Sequence, residues 1–145
     1  MTKEEIIIFY ADDDPDDREF LTDAFKNHSV EVTLITCENG AEAVRYFNNI
    51  LPFEPLPCLI ILDVNMPMVG GKEVLQRLRR MDRVKDIPVV FFTTSSHEGD
   101  RVFARQNNAG FITKPIDLGQ MEKIADRLID HCTDDIKALL RPLLN

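Results

Sequence analysis

The chain has 145 residues, 44% hydrophobic and 29% charged, which suits one folded domain with its own core. Its 17 Lys and Arg against 25 Asp and Glu give a net charge of -8, which disfavours binding to nucleic acid or to an anionic membrane surface. No apolar run approaches the roughly 18 residues of a membrane span, and the first residues lack a signal-peptide pattern. We therefore expect a cytoplasmic protein whose partners are proteins.

The three cysteines occur singly along the chain. Cys37, Cys58 and Cys132 form neither a CxxC pair, which would indicate a metal or redox site, nor an even set for disulfides. We expect reduced thiols.

The first strand and helix are predicted from an apolar run and an acidic turn. Residues 6–10 have the length of a strand, and Asp14 and Pro15 suit the N-cap and first turn of a helix that ends near His28. The acidic residues that follow favour the positive end of the helix dipole. The predicted buried stripe of this helix is Phe20, Leu21, Ala24 and Phe25.

A second strand and helix follow, and then a loop. Residues 30–37 alternate before becoming apolar, as in a strand, and Asn39 suits the N-cap of a helix. That helix would face the sheet with Val44 and Phe47. Residues 51–57 contain three prolines and are predicted to be a loop.

The third strand ends in a charge. Residues 59–62 are four apolar residues, long enough for a strand that is buried on both faces, and Asp63 follows directly. Burying a carboxylate is costly, so Asp63 should lie where the strand emerges at the carboxyl rim of the sheet. Open α/β sheets hold their sites at that rim.

The second half of the chain continues the alternation of strands and helices. Val74, Leu75, Leu78 and Met81 mark the next helix. Residues 89–93 predict a fourth strand, and residues 95–98 fit a capping box for a helix that residues 108–110 close. This helix has few large apolar residues, so we expect it to be the least firmly held. Residues 111–113 predict a fifth strand.

The last helix spans about residues 118–131, with Met121, Ile124, Ala125, Leu128 and Ile129 at helical spacing. We predict a domain over residues 1–132 and a C-terminal extension over 133–145 with one short helix before Pro142. The extension carries Ile136, Leu139, Leu140, Leu143 and Leu144. It either folds back on the domain or contributes to a homodimer.

Strands that alternate with helices predict an α/β fold with a five-stranded parallel sheet and helices on both faces. Five residues follow or end its strands and should converge at one rim: Asp12, Asp13, Asp63, Thr93 and Lys114. Three carboxylates packed together raise one another's pKa unless a positive charge intervenes. Oxygen ligands with open positions suit Mg²⁺.

The strand-end residues and their neighbouring motifs occur in the same order as in a known family. The chain resembles a bacterial response-regulator receiver domain of the stand-alone, chemotaxis type. The matching motifs are Asp12-Asp13, the segment from Asp63 to Pro67 with Gly71 beyond it, Thr93, and Lys114-Pro115. The resemblance covers about residues 6–131 and implies the flavodoxin-like strand order 2-1-3-4-5. It also implies a switch in a two-component phosphorelay, phosphorylated by a histidine kinase or a histidine phosphotransfer protein.

The resemblance assigns roles to these residues. Asp63 is the phosphoacceptor that forms an aspartyl phosphate. Asp13, Asp63 and the backbone carbonyl of Asn65 bind Mg²⁺, and Asp12 acts through water. Lys114 neutralises charge on the phosphoryl oxygens, and Thr93 hydrogen bonds the phosphoryl group.

The family also implies a switch and three structural positions. Thr93 moves inward after phosphorylation, and Phe111 stands where the family has its switch aromatic, although it also fits a plain core or surface aromatic. The peptide before Pro115 is expected to be cis, and Pro67 and Gly71 are structural.

Two other functions stay open on the sequence. One is a pseudo-receiver that binds partners without phosphorylation. The other is a phosphohydrolase of the haloacid-dehalogenase type, which also uses a nucleophilic Asp with Mg²⁺. Those enzymes carry a DxD motif in which the second Asp is the general acid/base. In this chain Asn65 occupies the position of that second Asp. Asn65 therefore favours a switch over an enzyme that turns over substrate.

Overall fold

A parallel sheet of five strands forms the centre of the molecule. The computed structural model describes residues 6–28 and 32–141, without the side chains of residues 27, 28, 118, 121 and 122. The strands are β1 (Ile6–Ala11), β2 (Val32–Cys37), β3 (Leu59–Leu62), β4 (Val89–Thr93) and β5 (Gly110–Thr113). Their order is β2-β1-β3-β4-β5, so the expected α/β class and strand order are confirmed.

Helices follow every strand. They are α1 (Pro15–His28), α2 (Gly40–Asn48), α3 (Gly71–Leu78), α4 (Glu98–Gln106), a 3₁₀ turn (Leu118–Gln120), α5 (Met121–Ile129) and α6 (Asp134–Leu140). In the parts of the chain that the structure describes, no helix is long and apolar enough to cross a membrane. Val30, the side chain of Met121, and the tail residues Pro142, Leu143 and Leu144 lie outside the described residues.

The two faces of the sheet carry separate cores because successive strand side chains point to opposite sides. On one side, Ile8, Tyr10 and Ile61 pack with buried residues of α1 and α5. On the other side, Phe9 and Ile60 pack with buried residues of α2 and α3. The central strands β1, β3 and β4 are therefore buried at every position, and they present their carboxyl ends between two layers of helices.

The helix starts agree with prediction at α1 and disagree at α4. At α1, Asp14 Oδ1 accepts the N–H of Asp16 at 2.9 Å, so the expected N-cap is confirmed. At α4, the N-cap is His97, which makes no side-chain cap bond, and the predicted capping box is wrong. Ser95 does not cap α4 because its hydroxyl donates to the carboxylate of Asp100 instead.

The buried stripe of α1 is narrower than predicted. Leu21, Ala24 and Phe25 are buried, whereas Phe20 is 39% exposed. Leu21, Ala24 and Phe25 have the i, i+3, i+4 spacing of one helical face, and Phe20 lies about 100° away from Leu21 around the axis. The prediction that Phe20 belongs to the core is wrong for that reason.

The start of the loop of residues 51–57 is held through its backbone. Phe53 is 83% exposed. Arg83 Nη1 donates to the carbonyls of Ile50 at 3.2 Å and Leu51 at 3.1 Å. A guanidinium that binds successive carbonyls orders the start of this loop, and further along the loop Leu56 packs against the core on the side of α2 and α3.

The short helix α6 lies against the domain. Leu140 is 1% exposed within the core between the sheet, α1 and α5, and Ile136 packs against the same core. Arg141 follows the helix and donates to Asp130 Oδ1 at 2.8 Å and to the carbonyl of Asp126 at 2.6 Å. We call Ile136, Leu140 and Arg141 the α6 seat.

Candidate functional site

The carboxyl ends of four strands meet at one rim of the sheet. Asp12 follows β1, Asp63 follows β3, Thr93 ends β4 and Lys114 follows β5. All four residues are buried, with Asp12 and Thr93 fully inaccessible. Asp13 also follows β1 and is exposed. The structure thus brings the strand-end residues together, in a setting of low dielectric where charges interact strongly.

Lys114 is the centre of this cluster. Its Nζ lies 2.6 Å from Asp12 Oδ2, 2.8 Å from Asp17 Oδ2 and 3.0 Å from Asp63 Oδ2. Burial by itself lowers the pKa of Lys114. The hydrogen bonds to Asp12 and Asp17 and the charge of Asp63 outweigh burial, so the pKa lies above its ordinary value and the side chain stays an ammonium.

Asp13 completes a group of carboxylates that could hold a metal ion. Single oxygens of Asp12, Asp13 and Asp63 all lie within 4.8 Å of one another. We call Asp12, Asp13, Asp17 and Asp63, with Lys114 among them, the acidic pocket. One ammonium among four carboxylates leaves an excess of negative charge at this rim, which favours a further cation with oxygen ligands.

Asp12 is held by donors on three sides. The hydroxyl of Tyr10 donates to its Oδ2 at 2.5 Å, and the N–H of Asp14 donates to its Oδ1 at 3.0 Å. Arg18 Nη1 donates to the backbone carbonyl of Asp12 at 2.7 Å. Burial, followed by the charge of Asp12, raises the pKa of Tyr10, so the phenol stays protonated as a donor.

Asp63 is the carboxylate at the end of the central strand. Its Oδ1 accepts the N–H of Asn65 at 3.3 Å, and its own N–H donates to the carbonyl of Ala11 at 3.0 Å. Burial raises the pKa of Asp63; the ammonium of Lys114 opposes this rise and the charge of Asp12 adds to it. Asp63 therefore sits fixed in the pocket with both carboxylate oxygens engaged.

Two glycines allow the backbone to close around Asp63. A Cβ on Gly71 would lie 2.1 Å from the carbonyl oxygen of Asp63. A Cβ on Gly40 would lie 1.9 Å from the carbonyl oxygen of Val69. Only glycine permits such approaches. Gly71 therefore lets the start of α3 pack on the residue that follows β3, whereas no sequence pattern predicted the close approach at Gly40.

Thr93 connects the pocket to the loop before α4. Its hydroxyl accepts the N–H of Ser95 at 3.2 Å, and its proximity to Asp63 opposes the rise in the pKa of that carboxyl. The hydroxyl of Ser95 in turn donates to Asp100, whose other oxygen pairs with the ammonium of Lys72. The hydrogen bonds of Lys72 and Ser95 lower the pKa of Asp100, so this carboxylate stays charged.

The remaining predicted positions lie around the rim. Asn65 and Pro67 are exposed in the loop after β3, where Met68 has a φ of 71°. The peptide between Lys114 and Pro115 is trans, so the expected cis isomer is wrong. The trans isomer of an X–Pro bond is lower in energy by about 0.5–1 kcal/mol, and in it Lys114 already reaches three carboxylates.

The family model that describes the response regulator receiver domain matches residues 8–126. The chain belongs to the response regulator receiver family. The response regulator Rre1 from Synechocystis is 35% identical over 127 residues, covering 87% of this chain and 52% of Rre1. This receiver thus spans about half the length of Rre1. Rcp1 from the same organism is 29% identical, covering 81% of this chain and 82% of Rcp1.

Solved structures show the same fold. The phosphorylated cyanobacterial phytochrome response regulator RcpA superposes with a TM-score of 0.82 at 28% identity, covering 91% of this chain and 96% of RcpA. The Mn²⁺-bound form of Rcp1 superposes with a TM-score of 0.77 at 24% identity, covering 97% of each chain. Receiver domains are signalling domains, so membership disfavours the haloacid-dehalogenase alternative.

In this receiver, Phe111 is half-buried on β5 beside a groove. The groove has a volume of about 340 Å³ and is lined by residues of α4 and the start of β5. Arg101 of α4 places its guanidinium 4.7 Å from the centroid of the Phe111 ring and donates to Thr113 Oγ1 at 3.1 Å. A cation over the ring face stabilises the present position of Phe111.

Three contributors to the pocket were not predicted from the sequence. Asp17 was assigned only to the helix dipole, yet it pairs with Lys114. Side chains tilt toward the N-terminus of a helix, so an acid in the first turn of α1 points back to the rim, and this direction was an available signal. Tyr10 and Arg18 bind Asp12, and their roles depend on contacts that no local pattern encodes.

Proposed function

We propose that this receiver accepts a phosphoryl group on Asp63 from a phosphohistidine of a histidine kinase or histidine phosphotransfer protein. The observation that carries the proposal is the Asp63 carboxylate, buried at the end of β3 and 3.0 Å from the ammonium of Lys114. An ionised carboxylate is a nucleophile that needs no base, and the ammonium can stabilise added negative charge. The related RcpA has been solved in a phosphorylated form.

Mg²⁺ is the proposed cofactor. Asp13 and Asp63, with the carbonyl of Asn65, would hold the ion, and Asp12 would act through water. The donors fit because they are hard oxygen ligands within 4.8 Å of one another in a pocket with excess negative charge. When bound, Mg²⁺ supplies further neutralisation of charge on the phosphoryl oxygens.

The transfer makes one bond and breaks one. An Asp63 oxygen forms a P–O bond while the P–N bond of the donor breaks, and the imidazole leaves with that electron pair and is protonated. Lys114 faces the charge that develops on the phosphoryl oxygens, and Thr93 supplies a hydroxyl at the same rim. Asp12 and Asp17 hold Lys114 in position throughout.

Phosphorylation would act as a switch of protein interactions. A phosphoryl group adds about 1.5 to 2 negative charges, which attract the Thr93 hydroxyl and reposition the loop before α4. Phe111 would then change its position, and the surface formed by α4, β5 and α5 would present a different face to a protein partner. Comparing amide exchange with and without beryllofluoride tests this step; protection changes confined to residues 51–57 would contradict it.

We also infer a cytoplasmic regulator, with the receiver domain over residues 1–132 and the extension over 133–145. The family match over residues 8–126 supports the domain. The α6 seat supports an extension that folds onto its own domain.

The phosphoacceptor is tested by incubating the protein with Mg²⁺ and phosphoramidate and measuring the intact mass. We expect a gain of one phosphoryl group that depends on Mg²⁺ and is absent in Asp63→Asn. Asp82→Asn is the matched control, because the Asp82 side chain is 97% exposed and lies away from the pocket. No gain in the wild type would favour the pseudo-receiver, and a gain that persists in Asp63→Asn would place the acceptor elsewhere.

A further inference from the structure

Two cysteines that are distant in sequence meet at the side of the sheet that packs against α1 and α5. Cys58 directly precedes β3, and its N–H donates to the carbonyl of Ile7 at 2.9 Å. Cys132 follows α5, and its N–H donates to the carbonyl of Ile129 at 2.9 Å. Both side chains belong to the same apolar cluster, with Cys132 inside it and Cys58 packed against it.

The two thiols lie close enough for each to perturb the pKa of the other, and neither is in a disulfide. The third cysteine, Cys37, belongs to the cluster on the opposite face of the sheet and instead hydrogen bonds the carbonyl of Asn39 at 3.4 Å. The sheet therefore separates Cys37 from the pair, and the chain provides its own internal control.

We propose that Cys58 and Cys132 are a redox-sensitive pair that forms a reversible intramolecular disulfide when a hydroperoxide oxidises the protein. The pairing is specific because each sulfur already has the other as its neighbour, so the bond forms without bringing together distant elements. The proposal does not depend on phosphorylation of Asp63.

The environments of the two sulfurs differ, which assigns the order of events. Cys58 is partly exposed, whereas Cys132 is 5% exposed. Hydrogen peroxide therefore reaches Cys58 first, and Cys132 resolves the sulfenic acid that forms on it.

The chemistry balances with hydrogen peroxide as the two-electron oxidant. The Cys58 thiolate attacks one peroxide oxygen, the O–O bond breaks, and a sulfenic acid forms while hydroxide leaves and becomes water. The Cys132 sulfur then attacks the Cys58 sulfur, the S–S bond forms, the S–O bond breaks, and hydroxide leaves with the Cys132 proton as water. Two thiols and one peroxide thus give one disulfide and two waters.

The disulfide would connect the start of a central strand to the junction between α5 and α6. Cross-linking residues far apart in sequence restricts the unfolded chain, so the oxidised protein should have a higher thermal midpoint than the reduced protein. Because α6 begins directly after Cys132, the bond would also fasten the base of the α6 seat.

The experiment treats the full chain with increasing hydrogen peroxide and then maps peptides without reduction. We expect loss of two hydrogen atoms from the intact mass, a peptide that joins Cys58 to Cys132, and full reversal by dithiothreitol. Alkylation in denaturant should find Cys37 still a free thiol. A link that includes Cys37, or oxidation of Cys58 to sulfinic acid without any link, would overturn the proposal.

Three single variants sharpen the result. Cys58→Ser and Cys132→Ser should each abolish the link, and Cys37→Ser should retain it with the same dependence on peroxide. The mapping of the wild type requires no substitution, so a variant that folds poorly leaves the central test intact. A disulfide that appears only between two molecules of the wild type would also overturn the proposal.

Discussion

The acidic pocket and the α6 seat each have buried side chains at their centre, but the two are stabilised in opposite ways. In the pocket, Asp12, Asp63 and Lys114 bring charges out of water, and one ammonium is shared among several carboxylates. In the α6 seat, Leu140 brings an apolar side chain out of water, and the charges of Arg141 stay near the surface. Burial of Leu140 favours folding, whereas burial of the pocket opposes it unless every charge is paired.

The difference separates what a residue does for stability from what it does for chemistry. The pocket keeps like charges together although neutral side chains would fold more easily, which is the pattern of a site held for its reactivity. The α6 seat has the pattern of a packing contact. Substitutions in the pocket should therefore change reaction and stability together, and substitutions in the α6 seat should change stability alone.

The largest effect is expected for Lys114→Met. Removing the shared ammonium leaves buried carboxylates unpaired, so the free energy of unfolding should fall by about 3–5 kcal/mol in metal-free protein at neutral pH. Phosphorylation of Asp63 by phosphoramidate should slow by about 100-fold or more. Urea unfolding and intact-mass kinetics measure the two effects. Lys123→Met, at an exposed position on α5, is the control, and an unchanged rate in Lys114→Met would contradict the role of Lys114.

Leu140→Ala should come next. Truncating a fully buried leucine costs about 2–5 kcal/mol in the free energy of unfolding. Leu139→Ala is the matched control at the neighbouring position, where the side chain is 41% exposed, and should change stability by about 0.5 kcal/mol or less. The phosphorylation rate of the folded protein should be the same in both variants. Equal losses of stability would show that α6 does not pack as described.

Asp63→Asn should raise the free energy of unfolding, whereas Lys114→Met and Leu140→Ala should lower it. Lys114 keeps Asp12 and Asp17 as partners, so removing the third negative charge should stabilise the metal-free protein by on the order of 1 kcal/mol at pH 7. Asp82→Asn should change stability little.

The pH dependence of that gain follows from the raised pKa of Asp63. Folded protein binds a proton at Asp63 more readily than unfolded protein does, so the wild type loses stability as pH rises through the folded pKa. The advantage of Asp63→Asn should therefore be full above the folded pKa and vanish below the unfolded value of about 3.9. Denaturant unfolding across that range measures it, and an advantage that grows as pH falls would contradict the direction. Mg²⁺ should also reduce the advantage, because it relieves the repulsion in the wild type.

Arg141→Ala should have the smallest effect. The guanidinium contacts Asp126 and Asp130, both of which are largely exposed, so solvent screens the pairs. We expect a loss of about 0.5–1 kcal/mol that shrinks as salt increases. Arg80→Ala, at another exposed position, is the control. A loss as large as that of Leu140→Ala would place the stabilisation of α6 in its charges.

Much of the fold follows from local patterns. The strand at residues 89–93 and the N-cap at Asp14 were predicted correctly, because strand periodicity and capping depend on neighbours in sequence. Ser95 and Phe20 were assigned wrongly. Ser95 has Asp100, within the helix it was expected to cap, as a competing partner. Phe20 lies at the edge of the face by which α1 packs against α5.

By itself, the sequence determined which residues end the parallel strands, because alternating helical and strand periods require crossovers that put all carboxyl ends at one rim. That reasoning brought Asp12, Asp63 and Lys114 to one place and named a carboxylate-rich site. Only the tertiary structure decided that Tyr10 and Arg18 hold Asp12, that the bond before Pro115 is trans, and that Cys58 lies beside Cys132. These contacts and conformations depend on how the helices pack on the sheet, and that packing is set by many side chains far apart in sequence.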